Sequence, residues 1–385
     1  MKSIFGHFAA YKALIFLSAL AFLNGRTVLA QVAKDTELNH IYKAGDGGYA
    51  CFRIPALLTT SKNVLLAFAE ARKVNCGDSG DIDLVVRRSK DGGKTWSEMQ
   101  LVWSDSTNTC GNPVPILDQS NGRIILLSTW NFGTDHEKEI TNLSSKKGRH
   151  VYMLSSDDDG KTWTGAKEIT PSVKKENWTW YATGPCHGLQ IQEGNFKGRL
   201  VVPVNHIESP SKQNFANIIY SDDHGATWNL GENTPQAKMN ETTVAEISGG
   251  RLMLNMRNGD RSVKTRHTSI SADGGQTWAD VKNDSTLIEP ICQGSLLNGF
   301  VGKRPVLFFI NPAHKTKRMN LTLRASFDDG ASWANSKVIY GGPSAYSDIA
   351  VYKNKDLGIV YESGIAKPYE GIAFQLIKLK SIANP

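Results

Sequence analysis

The octet "SDDDGKTW" (Ser156 to Trp163) is one of five copies of a single pattern, and its reading decides the fold. The others are "SKDGGKTW" (Ser89 to Trp96), "SDDHGATW" (Ser221 to Trp228), "SADGGQTW" (Ser271 to Trp278) and "SFDDGASW" (Ser326 to Trp333). The template S-x-D-x-G-x-[TS]-W is a turn: the Asp accepts backbone N–H groups across the bend, the Gly takes a positive φ, and the Trp packs back on the sheet. A calcium loop is the rival reading of its aspartates, but no Glu closes the loop at the twelfth position. The copies recur about every 50 to 67 residues, a spacing of propeller-type repeats, so they mark a fold and not a catalytic centre.

A second periodicity runs between the octets. Six apolar runs follow turn residues: "NVLLAFAEAR" from Asn63, "GRIILLSTW" from Gly122, "GRLVVPVNH" from Gly198, "GRLMLNMR" from Gly250, "RPVLFFIN" from Arg304 and "LGIVYES" from Leu357. Each is preceded by a strand-like piece, respectively "RIPALL", "NPVPIL", "HGLQI", "ETTVAEI", "GSLLNGF" and "YSDIAVY". Beyond the first 30 residues no helical pattern of ten or more residues occurs. Six hairpins without helices predict an all-β chain, closed as a six-bladed β-propeller of four-stranded antiparallel blades.

The N-terminus reads differently. Lys2 and Lys12 precede an apolar run, Ala13 to Leu23, and Val28-Leu29-Ala30 forms a small-residue cleavage site. Residues 1–30 therefore read as a signal peptide, too short in its apolar part to span a bilayer, and residues 31–385 as one exported, monomeric domain. Removing three basic side chains lowers the formal charge of +7 to about +4. With no Lys/Arg block and dispersed aromatics, nucleic acid is excluded as a partner, while a small acidic ligand fits the mild basic excess. The five cysteines show no zinc-like spacing, and their disulfide pairing is left open.

Residues equally far from a hairpin turn face one another. Counting outward puts Arg53 opposite Arg72, Glu241 opposite Arg257, and Tyr346 opposite Glu362, all at one mouth of the propeller. Arg318 opens the third strand of its blade at that same mouth, and the octets fall on the opposite face. Arg53 lies inside the apolar stretch "ACFRIPALL", where an unpaired guanidinium would cost several kcal/mol, roughly, so it must meet an anion or reach water.

F-R-I-P (Phe52 to Pro55) ahead of five octets, with "NMRN" (Asn255 to Asn258) and "SAYSD" (Ser344 to Asp348), resembles the sialidases, or neuraminidases, of the bacterial and animal type. The resemblance implies an exo-α-sialidase acting on sialylated glycans, a retaining glycosidase with no metal or cofactor. It implies that Arg53, Arg257 and Arg318 bind the substrate carboxylate, for which paired planar donors suit better than a lysine. Glu362 corresponds to the carboxylate that orients Arg53. Tyr346 corresponds to the nucleophile, an exception among retaining glycosidases. A neutral phenol avoids the repulsion that a carboxylate meets at a carbon already bearing one. Glu241 corresponds to its base, with Glu246 the lesser candidate. Asp78, in "EARKVNCGDSGDID", corresponds to the acid/base, with Asp81 and Asp83 as competitors. Arg72 and Asn112 correspond to further substrate contacts. Cys186, in "GPCHGLQI", stands where the family usually has a glycine, which bears on the shape of the rim.

Two alternatives remain at this level. A propeller lectin that only binds sialic acid would need the arginines but not Tyr346, Glu241 and Asp78 together. A trans-sialidase would share every one of these residues. "GDGGYA" (Gly45 to Ala50) fits a dinucleotide fingerprint but precedes a Pro-containing strand and not a helix, and the chain carries no serine-hydrolase, zinc-protease or phosphate-loop motif.

Overall fold

The computed structural model describes residues 38–383, and the expected signal peptide lies outside them. The described residues are almost entirely strand and turn; the longest helix, Glu137–Thr141, has five residues, and none is long and apolar enough to cross a membrane. Four hydrogen-bonded sheets account for the strands. The first contains two antiparallel runs of four, Cys51–Thr59 through Gln100–Trp103 and Thr109–Leu117 through Lys167–Glu168, joined by one parallel bridge between Ile82 and Thr109. The last is also double. Its 18-residue strand Asn335–Tyr352 pairs with Met319–Ser326 along one half and with Asp356–Ser363 along the other. The N-terminal strand His40–Lys43 completes this sheet by pairing with Gly371–Lys378, near the C-terminus.

Apolar faces of successive runs meet to form the core. Val114, Ile116 and Leu127 pack with Val202 and Val204 of the next sheet, for example. The octets form the turns expected of them. Ser89 Oγ donates to Asp91 Oδ1 and accepts from Gly93 N, and Asp91 in turn accepts the Thr95 N–H and hydroxyl; the other four copies repeat this network. Their glycines also do something the pattern did not foretell. Gly160, Gly225, Gly275 and Gly330 press on Leu66, Ile125, Ile218 and Met253 of the preceding run, and Gly93 of the first octet presses on Phe374 of the last sheet. Each octet is thus a wedge between neighbours.

Two expectations need correction. Arg53 faces Glu70, not Arg72, whose partner is Cys51. The register slips between Arg53 and Ala56 because Ile54 adopts φ 54° and Pro55 has no N–H to give the ladder. The third hairpin is also broken: its first strand is split into Trp178–Thr183 and Leu189–Gln190, which pair with opposite ends of Leu200–Glu208. Between them Gly184 (φ 53°), Pro185 and Cys186 (φ 148°) turn the chain out of the ladder.

Gly275 combines φ 88° with contact to Ile218 and Leu252, so a methyl group there meets both a left-handed backbone and a filled space. Gly275→Ala should lower stability by about 2–4 kcal/mol. Urea melts of the two proteins measure this, and coincident midpoints would refute the wedge.

Candidate active site

Four hairpins carry a register slip at the same end: between Arg53 and Ala56, Gly111 and Val114, Met239 and Thr242, and Ser344 and Ser347. Such bulges re-aim side chains at the cost of ladder hydrogen bonds. They deliver Arg53, Asn112, Glu241 and Tyr346 to one cavity of about 490 Å³, which Arg72, Asp78, Arg257 and Arg318 also line. No octet residue lines it. Glu241 and Tyr346 sit in bulges facing Arg257 and Glu362 respectively, as counted from the turns.

Glu362 lies behind the cavity wall and is fully buried. Its Oε1 accepts Arg53 Nε (3.1 Å) and Ile54 N (3.0 Å), and its Oε2 accepts Tyr346 N (3.1 Å). The free backbone N–H groups of two bulges are therefore satisfied by one carboxylate, which also neutralises Arg53. Burial works against the Arg53 charge, but Glu362 and Asp78 outweigh it and hold the guanidinium protonated. This is the anion that the apolar stretch around Arg53 required.

Arg53 and Arg257 come from separate strands, Arg318 from the bend just before Met319–Ser326, and the three surround Tyr346. Arg257 Nη1 donates to the phenol oxygen (3.1 Å) and to Glu241 Oε2 (2.5 Å), while the Arg53 and Arg318 guanidinium carbons stand 5.2 Å and 5.4 Å from the ring centre. Arg318 is held by Tyr369 Oη and the Ile291 carbonyl, with no carboxylate among the described residues in hydrogen-bond contact. The Tyr346 hydroxyl donates to Glu241 Oε1. Burial, and then the Glu241 charge, push the phenol well above its ordinary range, with Arg257 and Arg318 pulling the other way. The phenol is neutral at rest and already bonded to the group that can take its proton.

Asp78 is reached by a stapled loop. A Cys51–Cys76 disulfide anchors it, and Arg72 Nη1 donates to the Cys76 and Gly77 carbonyls and to Asp78 Oδ1 (2.8 Å). Arg53 Nη1 also donates to Asp78 (3.0 Å), although the Asp78 side chain is 75% exposed. Burial raises its affinity for a proton, but Arg72 and Arg53 outweigh this and hold the carboxyl below the usual range. Its competitors face elsewhere: Asp83 accepts the Tyr49 hydroxyl, and neither Asp81 nor Asp83 lines the cavity. Glu246 binds the Gln192 and Glu193 N–H groups at a different cavity. Cys186 is buried and not at the rim.

Sequence reasoning missed several residues. Glu70 grips Arg72 and accepts Asn112 N; its signal was a lone acid in the apolar strand "LLAFAEAR". Arg149, Trp180 and Asn205 also line the cavity, with nothing in the sequence to single them out. Arg149 stacks on Trp180 (3.9 Å) and donates to Asn112, Thr129 and Asn131, and burial pushes it down to about 10.

Residues 63–360 match the family model of a BNR repeat-like domain. A sialidase of Bacteroides fragilis is 31% identical over 94% of this chain and 69% of its own length. The chain belongs to the sialidase family. A sialidase of Micromonospora viridifaciens is likewise 31% identical, over 89% of this chain, which spans only 54% of that relative. Among solved structures, the Hadza microbial sialidase Hz136 superposes with a TM-score of 0.81 at 31% identity, over 89% of this chain and 68% of that one.

A carboxyl held below its ordinary value stabilises the folded state above that value, and the gain is lost as pH falls through its folded value. Asp78 is such a group. Wild type should therefore exceed Asp78→Asn in stability at pH 6, and the advantage should shrink as pH falls below about 3.8. Urea melts across pH 2.5–6, roughly, read this out; an advantage constant with pH would refute the ion pairs.

Proposed function

We propose that the chain is an exported exo-α-sialidase, built as a six-bladed propeller, that releases terminal sialic acid with retention of configuration. The observation that carries this reading is the convergence of three arginines on a buried phenol paired with Glu241. A lectin accounts for the arginines but leaves Tyr346 bonded to a base without purpose. The runs of four strands, and octet glycines that each touch the preceding run with the first touching the last, support the propeller. The Cys51–Cys76 disulfide supports an oxidising compartment, and with it removal of residues 1–30.

In the mechanism, the substrate carboxylate docks on Arg53, Arg257 and Arg318. It competes with Asp78 for Arg53; with one cationic partner taken, Asp78 binds a proton more readily and becomes an acid in the complex. Tyr346 Oη attacks the anomeric carbon and passes its proton to Glu241, while Asp78 protonates the departing oxygen. Asp78 then deprotonates a water that attacks the same carbon, and Tyr346 leaves with its proton restored from Glu241. Two displacements on opposite faces give net retention. Arg72 holds the Asp78 loop in place, and Asn112 meets the sugar.

Tyr346→Phe should lower turnover of 4-methylumbelliferyl sialoside by at least about a thousandfold with an unchanged melting temperature. Asp78→Asn should impair sialyllactose far more than the aryl sialoside, whose leaving group needs less protonation, by a difference of roughly 10²-fold or more. Equal losses on both substrates would remove Asp78 from the acid role. Near-normal turnover by Tyr346→Phe would overturn the nucleophile.

A further inference from the structure

The carboxylate of Asp78 is held at rest by two arginines, and neither hold is exclusive. Arg72 Nη1 carries two hydrogens and faces three acceptors, the Cys76 and Gly77 carbonyls and Asp78 Oδ1, so its bond to the carboxylate is shared. Arg53 is the partner that the substrate carboxylate takes in the mechanism proposed above. The Asp78 side chain is 75% exposed, so packing does not fix it. An acid in this position needs a further restraint to stay within hydrogen-bond reach of a departing oxygen.

The segment that follows strand Ile124–Asn131, in the second run of four, supplies one. Ser79, the neighbour of Asp78, shares a hydrogen bond with His136, Oγ to Nδ1 at 2.8 Å, across 57 positions of sequence, and both residues line the cavity. The backbone is shaped for this approach: a Cβ at Gly133 would run into the Gly80 and Thr107 carbonyls, and Gly133 N donates to Asn108 Oδ1 (3.3 Å). His136 N is itself fixed by Glu139 Oε2 (3.0 Å), so the ring reaches Ser79 from a held backbone. His136 is exposed and Ser79 half-buried. A single bond in that setting adds little to folding, but it ties down the residue adjoining the acid.

We propose that His136 is a positioning residue for the general acid, acting through Ser79 to keep Asp78 aimed at the leaving-group oxygen once substrate has taken Arg53. The inference rests on the sialidase reading and deepens it. With Arg53 diverted, Arg72, buried in the wall, draws the carboxylate inward, and the bond to His136 opposes that pull from a neighbouring run of strands. A lone His in "GTDHEKEI" gives no sign of this role in the sequence.

Two substrates separate positioning from stability. The measurement is kcat/KM, which ends with departure of the leaving group, for sialyllactose, whose sugar must be protonated, and for the 4-methylumbelliferyl sialoside, whose phenol needs less help. His136→Ala and Ser79→Ala should each lower the sialyllactose value by about tenfold or more and the aryl value by less than about threefold, at unchanged melting temperature. Either variant alone decides. Since both break one bond, the double variant should lose no more than a single one. His136→Asn, whose amide stands near the place of Nδ1, should keep most of the wild-type ratio, and in an Asp78→Asn background His136→Ala should move the ratio no further. Equal losses on both substrates, additive losses or no loss overturn this inference alone. No turnover of either substrate by wild type overturns the sialidase reading and this inference with it.

Discussion

One buried carboxylate ties the first hairpin to the last and shapes the candidate site in doing so. Glu362 reaches Arg53 across 309 residues of sequence, and it accepts N–H groups from both Ile54 and Tyr346. Without it the first hairpin would carry a buried cation left with exposed Asp78 alone, and two bulges would carry orphaned donors. Removing one partner of such a pair costs about 3–5 kcal/mol, because the other is left charged in a place water does not reach. The same contact sets the distance between the first arginine and the phenol. Stability and the geometry of the candidate site therefore depend on a single group.

Around that contact the cavity is a problem in charge. Arg53, Arg72, Arg149, Arg257 and Arg318 line one cavity, and close cations repel one another. Glu362, Glu70, Glu241 and Asp78 answer three of the five, Arg53, Arg72 and Arg257, through direct hydrogen bonds, while among the described residues Arg318 has Tyr369 and a carbonyl and Arg149 has the neutral side chains of Asn112, Thr129 and Asn131. The counter-charges differ in permanence. Glu362 and Glu70 are buried and stay where they are, whereas Asp78 is largely exposed and can yield Arg53 to an incoming carboxylate. In the proposed mechanism, a carboxyl paired with cations at rest that loses one of them on binding becomes an acid only when substrate is present. The phenol avoids a further negative charge in the resting site, since burial and Glu241 keep it protonated.

Much of this was legible in the chain. Five octets and six apolar runs carry local information, and local rules read the octet turns and the six apolar strands correctly, but not the split partner of the third run. Counting from the turns brought Tyr346 to Glu362 and Glu241 to Arg257, because the regular ladder of each hairpin runs right up to the bulge that holds them. The first hairpin defeated the same count. Its regular ladder from Thr59↔Leu65 to Ala56↔Phe68 already runs on to Ala71 and not Arg72, and the one-residue bulge at Ile54 and Pro55 shifts Arg53 on to Glu70; a bulge is a concession to distant partners, here the Glu362 carboxylate. The split third hairpin likewise follows from three residues whose backbone leaves the ladder, a turn that the apolar pattern on either side conceals.

The sequence by itself determined the architecture class, the octet turns, and the identity of the groups that meet at the mouth, because periodicity and turn chemistry are written in neighbouring residues. Tertiary structure alone decided which partner each charge takes, where the Cys51–Cys76 bridge closes, and that Arg149 and Asn205 line one cavity. Those facts depend on approach between residues that are tens to hundreds of positions apart, and on bulges whose slip is set by the groups they end up touching. A one-dimensional pattern can announce an arginine in an apolar strand, but only the folded chain says which anion it was waiting for.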